Sequence, residues 1–393
     1  MSTTNTTVPS KRNFTVDALR GFCIVAIALL HSIEHFNFYQ HPVAEQSWLA
    51  FADAAVWDSL FFLFGGKAYG IFALLFGLTF FIQDQNALAK GRDFRWRFLW
   101  RMFLLLLLAQ LNAAFFTAEV LVLFACVSFV LPLFARASNK TIIIVASILL
   151  LQPLEWGRMI YALCTPEYVV GPSLDAPLWK FCRMAQSQGS LFELIRVNLW
   201  EGQLVSLAWA MENARFFQTP AFFLLGMLLG RGKLLQHSRK NNIFWFRLLL
   251  ISLLLFFPLD GIAALLPEHI DNIAVLRPLA LICSSLSKAS FMAFLIASFV
   301  ILYHNWAPAP RHLEWLIPMG RMSLSCYMTQ SFVGSYLFYH WGLYLQLGAF
   351  YSLLVGIGIV IAQCCMAKIW LKNFTQGPFE TLWRAGTNIG IKS

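Results

Sequence analysis

Apolar residues in this chain neither alternate nor keep to one face of a short helix; they come in long, almost unbroken runs. A helix rises about 1.5 Å per residue, so about 20 such residues cross the hydrocarbon core of a bilayer. Ten runs reach or approach that length: 19–38, 56–82, 101–116, 118–135, 141–163, 215–230, 244–266, 274–302, 321–340 and 348–371. Only a short polar patch at Thr117 and Glu119 separates the third from the fourth. The pattern predicts an all-α polytopic membrane bundle of about ten transmembrane helices, built as a single integral membrane domain over 1–393.

One segment departs from it. Residues 164–214 are mixed in charge, and within them Leu191, Leu194, Ile195, Asn198 and Leu199, then Leu204, Val205 and Leu207, recur at near-helical spacing. That pattern fits a surface or re-entrant amphipathic helix over one mouth of the bundle, and equally a loop with a docked helix.

Composition excludes the main competing classes. Of the residues 59% are hydrophobic and 12% charged, with 38 Phe and 14 Trp; soluble domains carry about 25% charged residues. A soluble enzyme, a disordered chain and a disulfide-stapled module are all ruled out. Eight Cys are spread along the chain without metal-type spacing, and most lie in apolar runs, where a free thiol acts as a small hydrophobe. Only Cys164 and Cys182 fall in a polar segment where a disulfide is open to them.

A net charge of +10 would suit nucleic acid or an anionic membrane surface. Its distribution decides. With Lys11, Arg12 and Arg20 placed inside, the basic residues fall in alternate gaps: Lys90 to Arg101, Arg136 and Lys140, Arg231 to Arg247, Arg311 and Arg321, and Lys368 to Lys392. Twenty-one of the 29 lie on that side, and the gaps at 39–55 and 341–347 contain none. Both termini are therefore expected in the cytoplasm, with the charge serving topology. Nucleic acid is not an expected partner; membrane lipids are. The polar first 13 residues resemble a signal peptide, but no small-residue cleavage site follows, and we read an uncleaved first helix.

Ionisable groups inside apolar runs are costly and mark functional candidates. His31, Glu34 and His35 lie in the first run, with His31 about 18 Å past Leu19, near mid-membrane. On a continuous helix His31 and His35 would share a face. Lys67 follows Gly65-Gly66 in the second run, and Lys288 sits in the eighth. With Arg20 they form a candidate ladder of cations rising toward an imidazole. Snorkelling or helix-to-helix pairing accounts for the lysines equally simply. His31-Ser-Ile-Glu34-His35 also fits the H-x-x-E-H zinc pattern. A third ligand would have to come from His41 or Asp53, and three fixed positions in five carry little weight, so no metal is expected.

The residues also carry a family likeness. Phe14-Thr-Val-Asp17-Ala-Leu-Arg20-Gly21-Phe22 resembles the opening of the YeiB-like bacterial inner-membrane proteins (domain of unknown function 418). Gly66-Lys67 with Phe72-Ala-Leu-Leu-Phe76-Gly77 resembles their second motif, and Phe222-Phe-Leu-Leu-Gly226-Met227-Leu-Leu-Gly230-Arg231 their central one. Gly320-Arg321-Met-Ser323-Leu-Ser325-Cys-Tyr327-Met-Thr-Gln330-Ser331 and Gly377-Pro378-Phe379-Glu380-Thr-Leu-Trp383-Arg384 resemble the last two.

That family's fold is similar to two groups of membrane acyltransferases: the acyltransferase type 3 family and the heparan-alpha-glucosaminide N-acetyltransferase type. The first carries Arg, ten residues, then a functional His, a spacing that Arg20 and His31 share; the second has a similar Val-Asp-x-x-Arg-Gly opening. Most YeiB-like chains have Asn where this one has His31. The resemblance implies transfer of an acyl group, acetyl above all, from cytoplasmic acyl-CoA to a small-molecule or glycan acceptor at the outer side of the inner membrane. His31 would be the base and Glu34 or His35 its orienter. Arg20, Lys67, Lys288 and Arg321 would face the CoA phosphates, and Tyr327, Gln330 and Ser331 the acceptor or oxyanion. A small-solute permease and a non-enzymatic scaffold are the competing classes, and a homo-oligomer stays open.

The charge distribution makes a direct topological prediction. Reporter tags at both termini should stay in the cytoplasm. A cysteine introduced in 164–214 should react with an impermeant thiol reagent, whereas one in 83–101 should not.

Overall fold

The computed structural model describes residues 13–389 except 43, 118 and 166; Lys11, Arg12 and Lys392, counted above for topology, lie outside the described residues. Among the described residues the regular structure is all helical. The chain opens with α1 (Phe14–Ile33), α2 (Ser47–Phe64), α3 (Ala68–Leu88), α4 (Arg95–Ala113), α5 (Val120–Val127), α6 (Val130–Phe134), α7 (Asn139–Leu150) and α8 (Pro153–Cys164). Three short helices follow, α9 (Ala176–Gln188), α10 (Leu191–Leu199) and α11 (Glu201–Glu212). The rest comprises α12 (Arg215–Arg231), α13 (Arg239–His269), α14 (Ile273–Asn305), α15 (Ala309–His312), α16 (Leu316–Arg321), α17 (Ser323–Phe338), α18 (Ala349–Asn373) and α19 (Pro378–Asn388).

Among the described residues five helical runs are long and apolar enough to cross a bilayer: α1, α2 with α3, α13, α14 and α18; α7 and α8, bent by 46°, add a sixth if they count as one span. Of the other apolar stretches, α12 and α17 are short, with 17 and 16 residues, and α4 has 19 residues but opens with Arg95, Arg97 and Arg101. Helix starts follow the sequence. Asn13, Ser138, Ser238 and Asn272 each accept a backbone N–H from their own first turn, worth about 1 kcal/mol apiece.

The breaks have local causes. Gly66 takes φ +73°, a conformation that favours glycine, and ends the run that the hydropathy pattern carries through 56–82. The Lys67 ammonium donates to the carbonyls of Phe61 and Phe62 at 3.3 and 2.6 Å, satisfying the exposed end of α2. Gln152, at φ +56° just before Pro153, divides α7 from α8.

Two backbone crossings organise the core. α3 lies against α12, where a side chain on Gly77 would strike the Phe223 carbonyl and one on Gly226 the Leu74 carbonyl. α1 lies against α16, with Gly21 on the Leu316 carbonyl and Gly320 on that of Asp17. Small residues let backbones approach where lipid offers no hydrophobic drive to association. Helices α9 to α11 fill the 164–214 segment. The predicted leucine pattern lies in α10 and α11, and Leu194, Val197 and Val205 are buried with Phe36, Phe338 and Tyr339. Cys164 is exposed, Cys182 is buried, and both are free thiols.

These crossings predict an ordered effect of substitution. Gly226→Ala should destabilise the purified protein by about 1–3 kcal/mol, because the added methyl has no room. Gly261→Ala, with open space around it, should be neutral or gain up to ~1 kcal/mol of helix propensity. Thermal melts in detergent separate the two.

Candidate functional site

Two large cavities lie at different levels along α1. The first, about 1080 Å³, is lined by His31 and Glu34 and by residues of α9 and α11. His31 Nδ1 is 2.8 Å from Glu34 Oε2, and the Tyr39 hydroxyl donates to Glu34 Oε1 at 3.0 Å. An ionised carboxylate only accepts, so Nδ1 carries the proton and Nε2 is left as the basic nitrogen. An imidazole so placed can serve as a base oriented by a carboxylate.

Backbone geometry separates His31 from His35. α1 ends at Ile33, and His35, Phe36, Asn37 and Tyr39 take φ values of +49°, +54°, +70° and +55°. Left-handed backbone costs about 1–2 kcal/mol per non-glycine residue, so other contacts must hold this turn. Tyr339 donates its hydroxyl to the Phe36 carbonyl, and Asn37 Nδ2 donates to the Thr117 carbonyl at 2.9 Å. His35 consequently turns away: its Nε2 lies 2.9 Å from Ser352 Oγ and its ring stacks on Phe338 at 4.4 Å. The helical face assumed for the zinc pattern does not form. His41 sits against His35, and Asp53 accepts the Phe350 N–H at the start of α18. Among the described residues no three His, Cys, Asp or Glu side chains are grouped to hold a metal.

Tyr327 lines this cavity. Gln330 and Ser331 do not: Gln330 donates to Gln363 Oε1 at 2.8 Å, and Ser331 to the Tyr327 carbonyl at 3.3 Å. Sequence reasoning missed Arg215, which enters the cavity from the first residue of α12 with its guanidinium 4.1 Å from the ring centres of both Tyr69 and Trp209. At the edge of an apolar run it reads as an ordinary flanking charge. Lys180 and Arg183 of α9 also line the cavity and were missed.

The second cavity, about 760 Å³, is lined by Arg20 and Arg321 together with Lys90, Arg92, Arg97, Arg101 and Arg384. Arg20 bonds Thr79 Oγ1 at 3.0 Å and pairs with Asp17 at 3.6 Å; Arg321 donates to the Thr375 carbonyl at 2.9 Å. Arg101 stacks on Trp383 at 3.9 Å. Partial burial, then the Arg92 charge, lower the pKa of Arg97. Of the two carboxylates on its lining, Asp93 is bonded to Arg95, whose hydrogen bond pulls its pKa down to about 2. The other, Glu380, accepts the Leu324 and Ser325 N–H groups at 2.7 and 3.1 Å and so caps α17. Lys67 and Lys288 are not on this lining. Lys67 caps α2, and Lys288 lies beside Gly66 on a void of about 50 Å³ shared with Arg215.

Between the two cavities lies a thin apolar layer. Ile24, Phe72, Leu121, Phe124 and Leu324 enclose a void of about 20 Å³, with Ile27, Tyr69, Val120 and Tyr327 on the His31 side.

The motifs of the sequence therefore meet in pairs: the first with the fourth at Gly21 and Gly320, the second with the third at Gly77 and Gly226, and the fifth with the fourth through Glu380 and Ser325. Residues 229–390 match the family model described as "Protein of unknown function (DUF418)". Over 98% of its length the chain is 27% identical to the "Uncharacterized protein YxaH" of Bacillus subtilis (strain 168), covering 97% of that protein. It is 26% identical to the "Uncharacterized protein YeiB" of Escherichia coli (strain K12), over 95% of this chain and 96% of that protein. These similarities agree with the YeiB-like character of the motifs.

Glu380 offers a test of this junction. Glu380→Ala leaves two N–H groups and the Ser325 hydroxyl without their acceptor. It should cost about 1.5–3 kcal/mol, typical of hydrogen bonds to a charged group, seen as a lower melting temperature in detergent.

Proposed function

We propose that this protein is a transmembrane acyltransferase that moves an acyl group, acetyl in the simplest case, from acyl-CoA to a hydroxyl or amine of an acceptor across the membrane. One observation carries the reading. Arg20 lines a cavity rich in cations, His31 lines another, and ten residues of one helix lie between them, a rise of about 16 Å. The arginines suit the phosphates of CoA, since guanidinium forks bind phosphate through paired, charge-assisted bonds. The apolar layer between the cavities suits the passage of a thioester arm with its acyl end.

In this reading the arginine cavity faces the cytoplasm, the chain crosses the bacterial inner membrane about ten times, and both termini lie inside. The positive-inside distribution supports that orientation. His31 Nε2 takes the proton of the acceptor O–H or N–H as the new bond to the acyl carbon forms. The C–S bond breaks, and the proton passes to the departing thiolate, giving acyl-acceptor and free CoA. Glu34 holds the imidazole in the required tautomer and faces its positive charge while the proton is held. A permease for a small solute is the second reading, favoured by the void between the two cavities.

Titration with acetyl-CoA tests the proposal. Arg384→Ala should weaken binding about ten- to a hundredfold, the loss expected for one charge-assisted phosphate contact. Lys67→Ala should leave affinity unchanged and lower stability, because Lys67 caps α2. His31→Asn should bind acetyl-CoA normally and lose about 10²–10⁴-fold in transfer. Absence of acetyl-CoA binding, or solute flux without consumption of acyl-CoA, would overturn it.

A further inference from the structure

We infer that the His31 cavity binds an anion: a phosphate or carboxylate group of its ligand seats on Arg215, with the ligand's uncharged part directed to His31. As a statement about the acceptor this rests on the acyl-transfer reading; as a statement about binding it does not.

Arg215 is the reason. Both faces of its guanidinium are occupied, by Tyr69 and by Trp209. Stacking uses the faces of the group and leaves its five in-plane N–H donors. Among the described residues none of those donors has a hydrogen-bond acceptor, and no carboxylate lies within 4.0 Å. The group is only partly exposed, and it lines the cavity. A guanidinium withdrawn from bulk water without a bonded counter-charge is costly, and an anion in the cavity would supply both charge and acceptors.

The surroundings hold Arg215 in place; the Glu34 carboxylate acts on it through space but makes no hydrogen bond or ion pair with it. The Tyr69 hydroxyl donates to Gln218 Oε1 at 2.5 Å, and Gln218 Nε2 in turn donates to the Ser285 carbonyl at 3.0 Å. Ala214, at φ +62°, sets the entry of α12. The two carboxylates on the cavity lining are engaged elsewhere: Glu34 by His31 and Tyr39, and Asp175 by the Trp179 indole at 3.2 Å. Lys180 and Arg183 add two further cations from α9, neither in an ion pair among the described residues. A planar fork presented edge-on is the geometry that recognises phosphate or carboxylate bidentately. The volume of about 1080 Å³ accommodates much more than a bare ion, so the ligand is an organic anion, either free or the headgroup of a lipid.

The full-length protein in detergent, without acetyl-CoA, is titrated with sn-glycerol 3-phosphate, with glycerol as the uncharged control. A second arm uses nanodiscs with and without phosphatidylglycerol, reading protection of a cysteine introduced at Ser187 on the cavity lining. Glycerol 3-phosphate should bind where glycerol does not, and Arg215→Gln should weaken it about ten- to a hundredfold. Binding of the soluble phosphate identifies a free anion; protection only by phosphatidylglycerol identifies a headgroup. Should Arg215→Gln not fold, the double variant Lys180→Gln, Arg183→Gln takes its place, with a several-fold loss expected. No binding in either arm overturns the inference. So does equal affinity in wild type and variants, or a loss in Arg97→Gln with none in Arg215→Gln, which would place the anion in the arginine cavity. None of these readouts requires acyl transfer, so this inference and the enzymatic reading can fail separately.

Discussion

The close approach of backbones at Gly77, Gly226, Gly21 and Gly320 is the constraint on which the rest depends. In hydrocarbon a helix gains little by burying leucine against leucine, because lipid is just as apolar. Contact must come from shape, and glycine allows the shortest approach. These crossings set α1 against α16 and α3 against α12. The same helices, continued beyond the crossings, supply Arg20 with Thr79 to one cavity and His31 with Tyr69 and Arg215 to the other. A small change in either crossing would shift both cavities.

Polar groups near the cavities divide into those that hold the fold and those that face open space. Lys67, Glu380 and Gln363 spend their hydrogen-bonding capacity on helix ends and neighbouring side chains. They satisfy backbone and side-chain groups that lipid cannot. His31, Arg215 and the cations of the second cavity differ in that part of each side chain meets a space large enough for a ligand. The left-handed turn after α1 belongs with them. Strained backbone persists only where its surroundings over-determine it, and here it keeps His31 in the cavity while sending His35 into packing.

Much of this was legible in the chain before any fold was known. Run length and hydropathy determine a helical membrane protein, because an unsatisfied backbone in lipid permits few alternatives. The candidacy of His31 and Glu34 also came from sequence, as ionisable groups inside an apolar run; that they touch, across positions i and i+3 at the end of α1, is a finding of the structure.

Tertiary structure decided the rest. Hydropathy averages over a window and is blind to a single φ of +73° at Gly66, so Lys67 looked like a charge within a continuous span when it caps a helix end. Arg20 and Arg321 are 301 positions apart, and nothing local says that they share a cavity while Lys67 and Lys288 do not. Arg215 stood at the edge of an apolar run, where a charge is ordinary. Its meaning depends on Tyr69 and Trp209 closing over its two faces and on no carboxylate arriving beside it. The sequence alone determined which groups were costly to bury, because that follows from each residue's own chemistry. Only the packing determined which of those costs are met within the protein and which are left for a ligand, because that depends on distances between residues far apart in the chain.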